Sequence, residues 1–561
     1  MPEEKNEKLT KEELVKESSN YLRGSIKEEL AKESSHFDEI NTKLLKFHGI
    51  YQQDNRDNRQ ERLAKKLEKE YSFMIRTKLP AGELTSGQYL GLNEICDKYT
   101  NKTLRITTRQ TIQFHGVIKG NLHKTLNEIN KNLITTYGAC GDVVRNIMAC
   151  PVCDIDPEYS INLTKLAKEI SDHLLPNTKS YYEVWVDEEK IPGMGGDEKT
   201  EKEEEPLYGK TYLPRKFKIG LAMPHDNCID LFTQDIGIVA ICNGKSLEGF
   251  NLLIGGGLGH HHNKPETYPR LASEFCFITL DKLINTLEKI VTIQRDYGGR
   301  TNRKHARMKY LIDDKGLDWF KAELEKRIGF KLEAPKKITE YKMCDHLGWN
   351  KQTNGLWYLG LFVENGRITD SNQRQIKTGL KEIIEKFEPG IRLTAHQNII
   401  LTNIKEENKN KIDEILKKYK IYTKEGVSEL RRNSMACPAL PTCGLALAEA
   451  ERALPGVIDE LEKLGFGNEK VSIRMSGCPN SCSRPPVAEI GIIGMSANKY
   501  NIYTGGDFEG TRLNKIYKEN ILGENIVSEI SSLLRTYRSN YNKNESFGDY
   551  WNRVGPEKFN N

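Results

Sequence analysis

Four cysteines form two pairs, Cys437-x5-Cys443 and Cys478-x3-Cys482, separated by the helix-like stretch ALAEAERALPGVIDELEKLG. Four thiolates suit a soft metal centre, either zinc or an iron–sulfur cluster. Structural zinc sites use pairs about two to four residues apart, so the x5 spacing favours iron–sulfur. Pro438, Pro441 and Pro479 flank the cysteines, and Gly477 opens the turn GCPNSC. Such loops bend tightly around an inorganic core. A lone buried cysteine ordinarily just fills space; four in this setting read as ligands.

The elements that must position them repeat along the chain. LRITTRQTIQFHGV (104–117) aligns with IRLTAHQNIILTNI (391–404), and the same separation of 287 residues places RNIMACP (145–151) on RNSMACP (432–438). At a separation of 254, KFKIGLAMPHDNC (216–228) falls on KVSIRMSGCPNSC (470–482), and DIGIVA (235–240) on EIGIIG (489–494). FNLLIGG (250–256) then matches YNIYTGG (500–506). Short β-rich runs alternate with helical periods, which gives an α+β fold class. The reading is a polar, helix-like N-terminal arm (1–70) followed by a duplicated unit. Each copy has a strand-helix module (71–138 and 345–425) and a larger α/β module (139–340 and 426–561, the latter with a C-terminal tail). The two copies meet about a pseudo-twofold, and interfaces between domains favour cofactors. Residues 190–210, IPGMGGDEKTEKEEEPLYGK, read as a mobile surface insertion, or as an acidic docking loop.

With 561 residues the chain exceeds the ~250–300 at which one core stops growing. Its longest apolar runs, such as IGIVAIC, are too short to cross a bilayer. The charged N-terminus has no apolar core, so neither a signal peptide nor a membrane anchor is expected, and the cytoplasm is the expected compartment. Twelve cysteines in that setting are expected to be reduced. The balance of 84 Lys+Arg against 79 Asp+Glu does not imply nucleic acid. Lysine runs such as KEENKNKIDEILKKYK are interleaved with acids and read as solvated helix faces.

SMACPALPTCGLALAEAER followed by GCPNSCSRPPVAEIGIIG resembles the cluster motif of the sirohaem-containing sulfite and nitrite reductase family. The resemblance extends from NYLRG and FHGIYQQDNRDNR through TTRQTIQFHG to YKENI and FGDY. It implies ferredoxin-like strand-helix modules, a 4Fe-4S cluster on Cys437, Cys443, Cys478 and Cys482, and a sirohaem whose iron is axially bridged to the cluster by Cys482. It also implies that Arg76, Arg145, Lys216 and Lys218 are the four cations over the face where sulfite binds.

A polycarboxylate such as sirohaem needs charge-assisted partners, and arginine grips a carboxylate with two donors. Arg105 and Arg109 lie four apart, on one face if both are in a strand, and Gln113 and His115 continue the alternation. TNRKHARMK brings Arg303, Lys304, Arg307 and Lys309 together. By resemblance these segments hold sirohaem. Lys216-x-Lys218 suits a strand that presents both ammonium groups to one anion. Any one of these cations could otherwise be an ordinary surface charge.

The implied reaction is the six-electron reduction of sulfite to sulfide in assimilatory sulfur metabolism. Arg76 and Arg145 would supply fixed positive charge, and Lys216 and Lys218 protons. Lys218 favours sulfite over the family's nitrite reductases, which the resemblance gives a neutral residue there. A non-catalytic electron-transfer protein would be expected to have lost these cations. No nucleotide-binding motif appears, since GGGLGHHHN (255–263) lacks the strand, helix and acid such a motif needs. NADPH and flavin therefore fall to a separate flavoprotein subunit carrying FAD or FMN, with ferredoxin as the alternative donor. Against the family pattern, Cys150 and Cys228 occupy the repeat positions of Cys437 and Cys482, and Cys153 is extra, while Pro224 replaces Cys478. The first repeat thus lacks a full ligand set, and an extra metal there is a minor expectation.

Overall fold

The computed structural model describes residues 8–157, 161–177 and 205–559, and the backbone of a hairpin pairing Glu183–Val186 with Glu189–Gly195. The middle of the 190–210 segment, 196–204, thus lies outside the described residues. At its far end Glu205 is buried and accepts the backbone N–H groups of Asn177 and Leu207.

Among the described residues, four five-stranded sheets carry the fold, in two matching pairs. In the first repeat the α/β module orders Met148–Ala149, Ile219–Ala222, Ile236–Asn243, Ser246–Ile254 and Ser273–Ile278. The second orders Ser434–Ala436, Ile473–Ser476, Ile490–Ser496, Lys499–Thr504 and Lys515–Leu522. In both, the first three strands run parallel and the last two are antiparallel. The parallel strands are buried along their length and read as apolar runs, as sheets covered on both faces do.

The strand-helix modules share one core, in which Phe73, Leu104 and Phe114 of the first pack with Leu361, Ile391 and Leu401 of the second. They also exchange strands. Glu83–Leu84 pairs with Gly390–Leu393 of the other repeat, and Arg367–Ile368 pairs with Leu104–Ile106. The arm is more than helical: Ile50–Asp54 adds an antiparallel edge strand to Tyr71–Arg76. The helix Ser86–Tyr99 starts on a reciprocal Thr85–Gln88 capping box, which satisfies its first N–H groups.

Symmetry reaches the level of single hydrogen bonds. Gln110 donates to the carbonyl of Ala149, and its repeat partner Gln397 donates to that of Ala436, the equivalent of Ala149. Both glutamines have positive φ, in equivalent turns. Asp230 and Arg484 are also repeat partners, and they pair with each other. Arg474 joins them through Nη1, 2.7 Å from Asp230 Oδ2, so a fully buried carboxylate with two guanidinium partners lies at the pseudo-twofold interface.

Candidate functional site

Cys437 follows the strand Ser434–Ala436, and Cys478 follows Ile473–Ser476 through Gly477. Gly477 cannot be replaced without movement, because a Cβ there would lie 2.5 Å from the Ala448 carbonyl oxygen and 2.6 Å from the Ala439 Cβ. Its N–H points at the Cys437 Sγ, 3.3 Å away, and the Asn480 amide lies 3.5 Å from the Cys478 Sγ. Arg56 of the N-terminal arm clamps the other loop, donating to the carbonyls of Ala446 (2.8 Å) and Cys443 (3.4 Å).

The four thiols converge. Burial raises the pKa values of Cys437, Cys443 and Cys478, the last to about 12, and in each case the next cause is the charge of Cys482. None is in a disulfide. Buried thiols that repel one another's charge, with N–H groups aimed at sulfur, fit a cationic iron–sulfur core, which would relieve that repulsion. Cys482 is the exposed member, and its carbonyl accepts from Thr108 Oγ1 at 2.9 Å.

Beside Cys482 lies a concentration of cations. Lys216 has its pKa lowered well below the usual lysine value, first by burial and then by Lys218, Arg215, Arg307 and Arg145. Lys218 is lowered in the same way by burial, Arg109 and Arg307. Arg109 is brought down to about 9 by burial and by Arg145, with further contributions from Arg76 and Arg484. Burial also opposes the Arg76 charge, but Cys140, Tyr51, Cys482 and Cys443 outweigh it and hold its pKa up. Arg76 donates to the Cys140 Sγ, and Gln113, with its amide oxygen turned inward, accepts from Arg76 Nε at 2.9 Å. Arg145 forks onto the Gly141 carbonyl. Asp235 is the main acid present, and Arg307 already holds it at 2.7 Å. The Nε of Arg109 and both ring nitrogens of His115 are buried without a hydrogen-bond partner. Burial and the charges of Arg367, Arg105 and Arg76 keep that imidazole neutral. Half-buried cations that oppose one another's charge, with unpartnered nitrogens beside them, fit a polyanionic ligand, as sirohaem would be.

The other cations are committed elsewhere. Arg105 is 2% exposed and holds Glu451 (2.9 Å) and the Ala436 carbonyl (3.1 Å), which braces the strand before Cys437. Arg303 forks onto Asp142 at 2.8 and 3.1 Å. The ammonium of Lys309 accepts no anion here: it donates to the carbonyls of Gly257 and Gly259 at 3.0 Å each and so fixes the glycine-rich loop. That loop packs on the cluster loop, with the His260 N–H donating to the Pro479 carbonyl. Gly259 lies against the cluster loop, where a Cβ would be 3.3 Å from the Asn480 carbonyl oxygen, and Gly256 packs on the 232–234 segment, where a Cβ would lie 2.3 Å from the carbonyl oxygens of Phe232 and Gln234. Lys304 is exposed at the rim, close enough to His261 to help lower its pKa after burial.

One geometric expectation fails. Arg105 and Arg109 do not share a strand face, because the strand ends at Ile106 and residues 107–111 form a tight turn closed by Thr107 and Thr111. The turn sends Arg109 toward Gln234 and the Asn146 carbonyl, away from Glu451. Arg215 and His261 join the cationic group without having been singled out; their signal was adjacency to Lys216 and to the glycine run.

The lysines make the pH dependence predictable. Their folded values lie below 10.5, so between those values and 10.5 the unfolded chain holds protons that the native chain lacks, and stability rises with pH. Set against the opposite pull of the raised Cys437, Cys443 and Cys478 thiols, the cofactor-free protein should therefore carry a lysine contribution to urea resistance whose slope with pH is positive below 10.5. That slope should shrink in Lys216→Met and on cofactor loading, as urea midpoints across the pH range would record.

Residues 140–332 and 429–561 match the family described as nitrite and sulphite reductase 4Fe-4S domain. Residues 65–132 and 350–419 match the nitrite/sulfite reductase ferredoxin-like half domain. The chain is 47% identical to the sulfite reductase [NADPH] hemoprotein beta-component of Anoxybacillus flavithermus over 97% of its own length and 95% of that protein's. It is 45% identical to the protein of the same name from Staphylococcus haemolyticus, over 99% and 96%. Among solved structures, the NirA protein of Mycobacterium tuberculosis superposes with a TM-score of 0.81 over 98% of this chain and 97% of that one, at 21% identity, and so shares the duplicated fold.

Proposed function

Because the chain belongs to the nitrite and sulphite reductase family, we propose that it reduces sulfite to sulfide as the haemoprotein component of an NADPH-dependent sulfite reductase. The observation that carries the reading is the grouping of Lys216, Lys218 and Arg109, whose charges are opposed by burial and by neighbouring cations, Arg76 and Arg145 among them, beside four convergent thiols.

Cys437, Cys443, Cys478 and Cys482 would hold the 4Fe-4S cluster. Arg109, Gln113, His115 and the loops braced by Arg303, Arg307 and Lys309 would hold sirohaem beside the cluster loops. When bound, the coupled pair supplies the electrons.

The chain's own residues do the rest. Arg145 and Arg76 hold fixed positive charge where the oxyanion's oxygens must lie. Burial and neighbouring cations lower the pKa values of Lys216 and Lys218, and an arriving anion favours their charged form. Substrate binding thus loads the proton donors that leaving oxygens need.

In the cell we place the protein in the cytoplasm, with assimilatory electrons arriving from NADPH through a flavoprotein subunit. None of the twelve cysteines is in a disulfide, and no helix among the described residues is long and apolar enough to cross a membrane.

The test is turnover of sulfite and nitrite by the cofactor-loaded chain with a reduced dye. Efficient nitrite reduction without sulfide from sulfite overturns the reading. Lys218→Asn should weaken sulfite turnover more than nitrite turnover, because sulfite brings more oxygen charge to be held. Equal losses would remove Lys218 as a specificity determinant.

A further inference from the structure

The repeat places Cys150 where the second copy has Cys437, and Cys228 where it has Cys482. In the fold these two thiols meet the carboxylate of Asp226 and the imidazole of His346, with one donor atom from each within 4.8 Å of all the others. The Cys150 Sγ lies 2.7 Å from Asp226 Oδ2, and His346 Nε2 lies 3.0 Å from the same oxygen. That one Asp226 oxygen is thus shared by the Cys150 thiol and the His346 ring, while Asp226 Oδ1 has no donor, although the His346 and Asp226 side chains are only 7% and 5% exposed. Buried donors left open in this way are costly unless something fills them.

We propose that these four residues form a second metal centre, a tetrahedral zinc site with two cysteine, one histidine and one aspartate donors. The donor set decides the metal. Two sulfurs, one imidazole nitrogen and one carboxylate oxygen around a single point suit Zn²⁺, whereas an iron–sulfur cluster of the kind held by the second repeat needs four thiolates. On binding, the Cys150 and Cys228 thiols each release a proton to solvent, His346 binds neutral and Asp226 binds as carboxylate.

Cys153 and Cys344 flank the group. With Asp226 and His346 they line a cavity of about 480 Å³, which gives an ion a route in and which none of the sirohaem-side cations lines.

The centre would tie three segments together: the end of the strand Met148–Ala149, the 223–228 loop, and the 341–347 connection between the repeats. Backbone bonds already run between the last two, from Asn227 N to the Lys342 carbonyl at 2.6 Å and from Lys342 N to that of Pro224 at 2.9 Å. His346 is held at a φ of 56°, and Gly360 packs so closely that a Cβ would meet the His346 carbonyl at 1.9 Å. A metal here would fix the start of the second strand-helix module on the first α/β module.

The test is elemental analysis of the holoenzyme, purified from zinc-containing medium and passed over chelating resin. It should carry about one zinc per chain beside its iron, and zinc-edge X-ray absorption should show two sulfurs at about 2.3 Å and two lighter donors at about 2.0–2.2 Å. Cys150→Ser and His346→Gln should lose the zinc yet keep the iron, acid-labile sulfide and visible spectrum. Should either variant fail to fold, the wild-type zinc count and edge spectrum decide alone. Three results would overturn the proposal: well under one zinc per chain after incubation with equimolar zinc, a Cys150–Cys228 disulfide by mass spectrometry, or excess iron lost specifically in Cys150→Ser.

Discussion

A Lys216→Ala enzyme is expected to turn over sulfite about 100- to 1,000-fold more slowly than the parent while retaining its iron, sulfide and sirohaem absorbance, the cost typical of removing one preorganised donor at a reacting oxygen. The loss should fall on kcat and kcat/KM together, because Lys218, Arg145 and Arg76 remain to bind the anion and the missing interaction belongs to the proton-transfer step. Steady-state kinetics beside cofactor quantitation checks it. An unchanged kcat would move the proton donor elsewhere, and a loss of sirohaem would make Lys216 a cofactor ligand instead.

The second large effect is structural. Asp230→Ala leaves Arg474 and Arg484 as buried, uncompensated guanidinium groups, which costs about 3–5 kcal/mol. Arg484 lies two residues past Cys482, and its other donors hold the Thr108 and Ala395 carbonyls at 3.1 Å each. The damage should therefore appear as a lower urea midpoint and as poorer retention of iron and sulfide on gel filtration. The pH sign is also set. Burial pushes the Asp230 carboxyl up, but Arg474 and Arg484 outweigh it and hold it at about 2, so its contribution is full above the ordinary carboxylate range and is lost only as pH falls toward 2. The parent should thus keep this clamp at pH 5, and the midpoint gap between parent and variant should be the same at pH 5 and pH 7.

Much of this was readable in the linear chain. Cysteine spacing marked the loops proposed for the cluster, and the two repeat separations marked the duplicated architecture, because both are local patterns carried by a few adjacent residues; the matched strand orders came only with the fold. The long-range pairings were not readable. Arg105 seemed to belong with Arg109 by periodicity, yet its partner, Glu451, lies 346 residues away, and a turn at 107–111 separates the two arginines. Asp230 stood in an unremarked loop, although its repeat position is that of Arg484; opposite charges at equivalent places are a detectable sign of contact across a pseudo-twofold. His346 lies just before the strand Gly348–Lys351, far along the chain from both cysteines, so Cys150 and Cys228 read as an incomplete ligand set and only the fold supplies the other two donors.

The exchanged strands bear on how the chain is made. Leu104–Ile106 gains its outer neighbour only when Arg367–Ile368 arrives, and Glu83–Leu84 docks only on Gly390–Leu393. At about 5–20 residues per second, the ribosome leaves that sheet edge open for tens of seconds. An unpaired edge is a template for pairing with other chains. Expression should therefore be limited by aggregation of nascent chains that have not yet reached residue 368, more than by the stability of the finished protein, and slower synthesis or a chaperone that covers the edge should raise the yield of soluble enzyme.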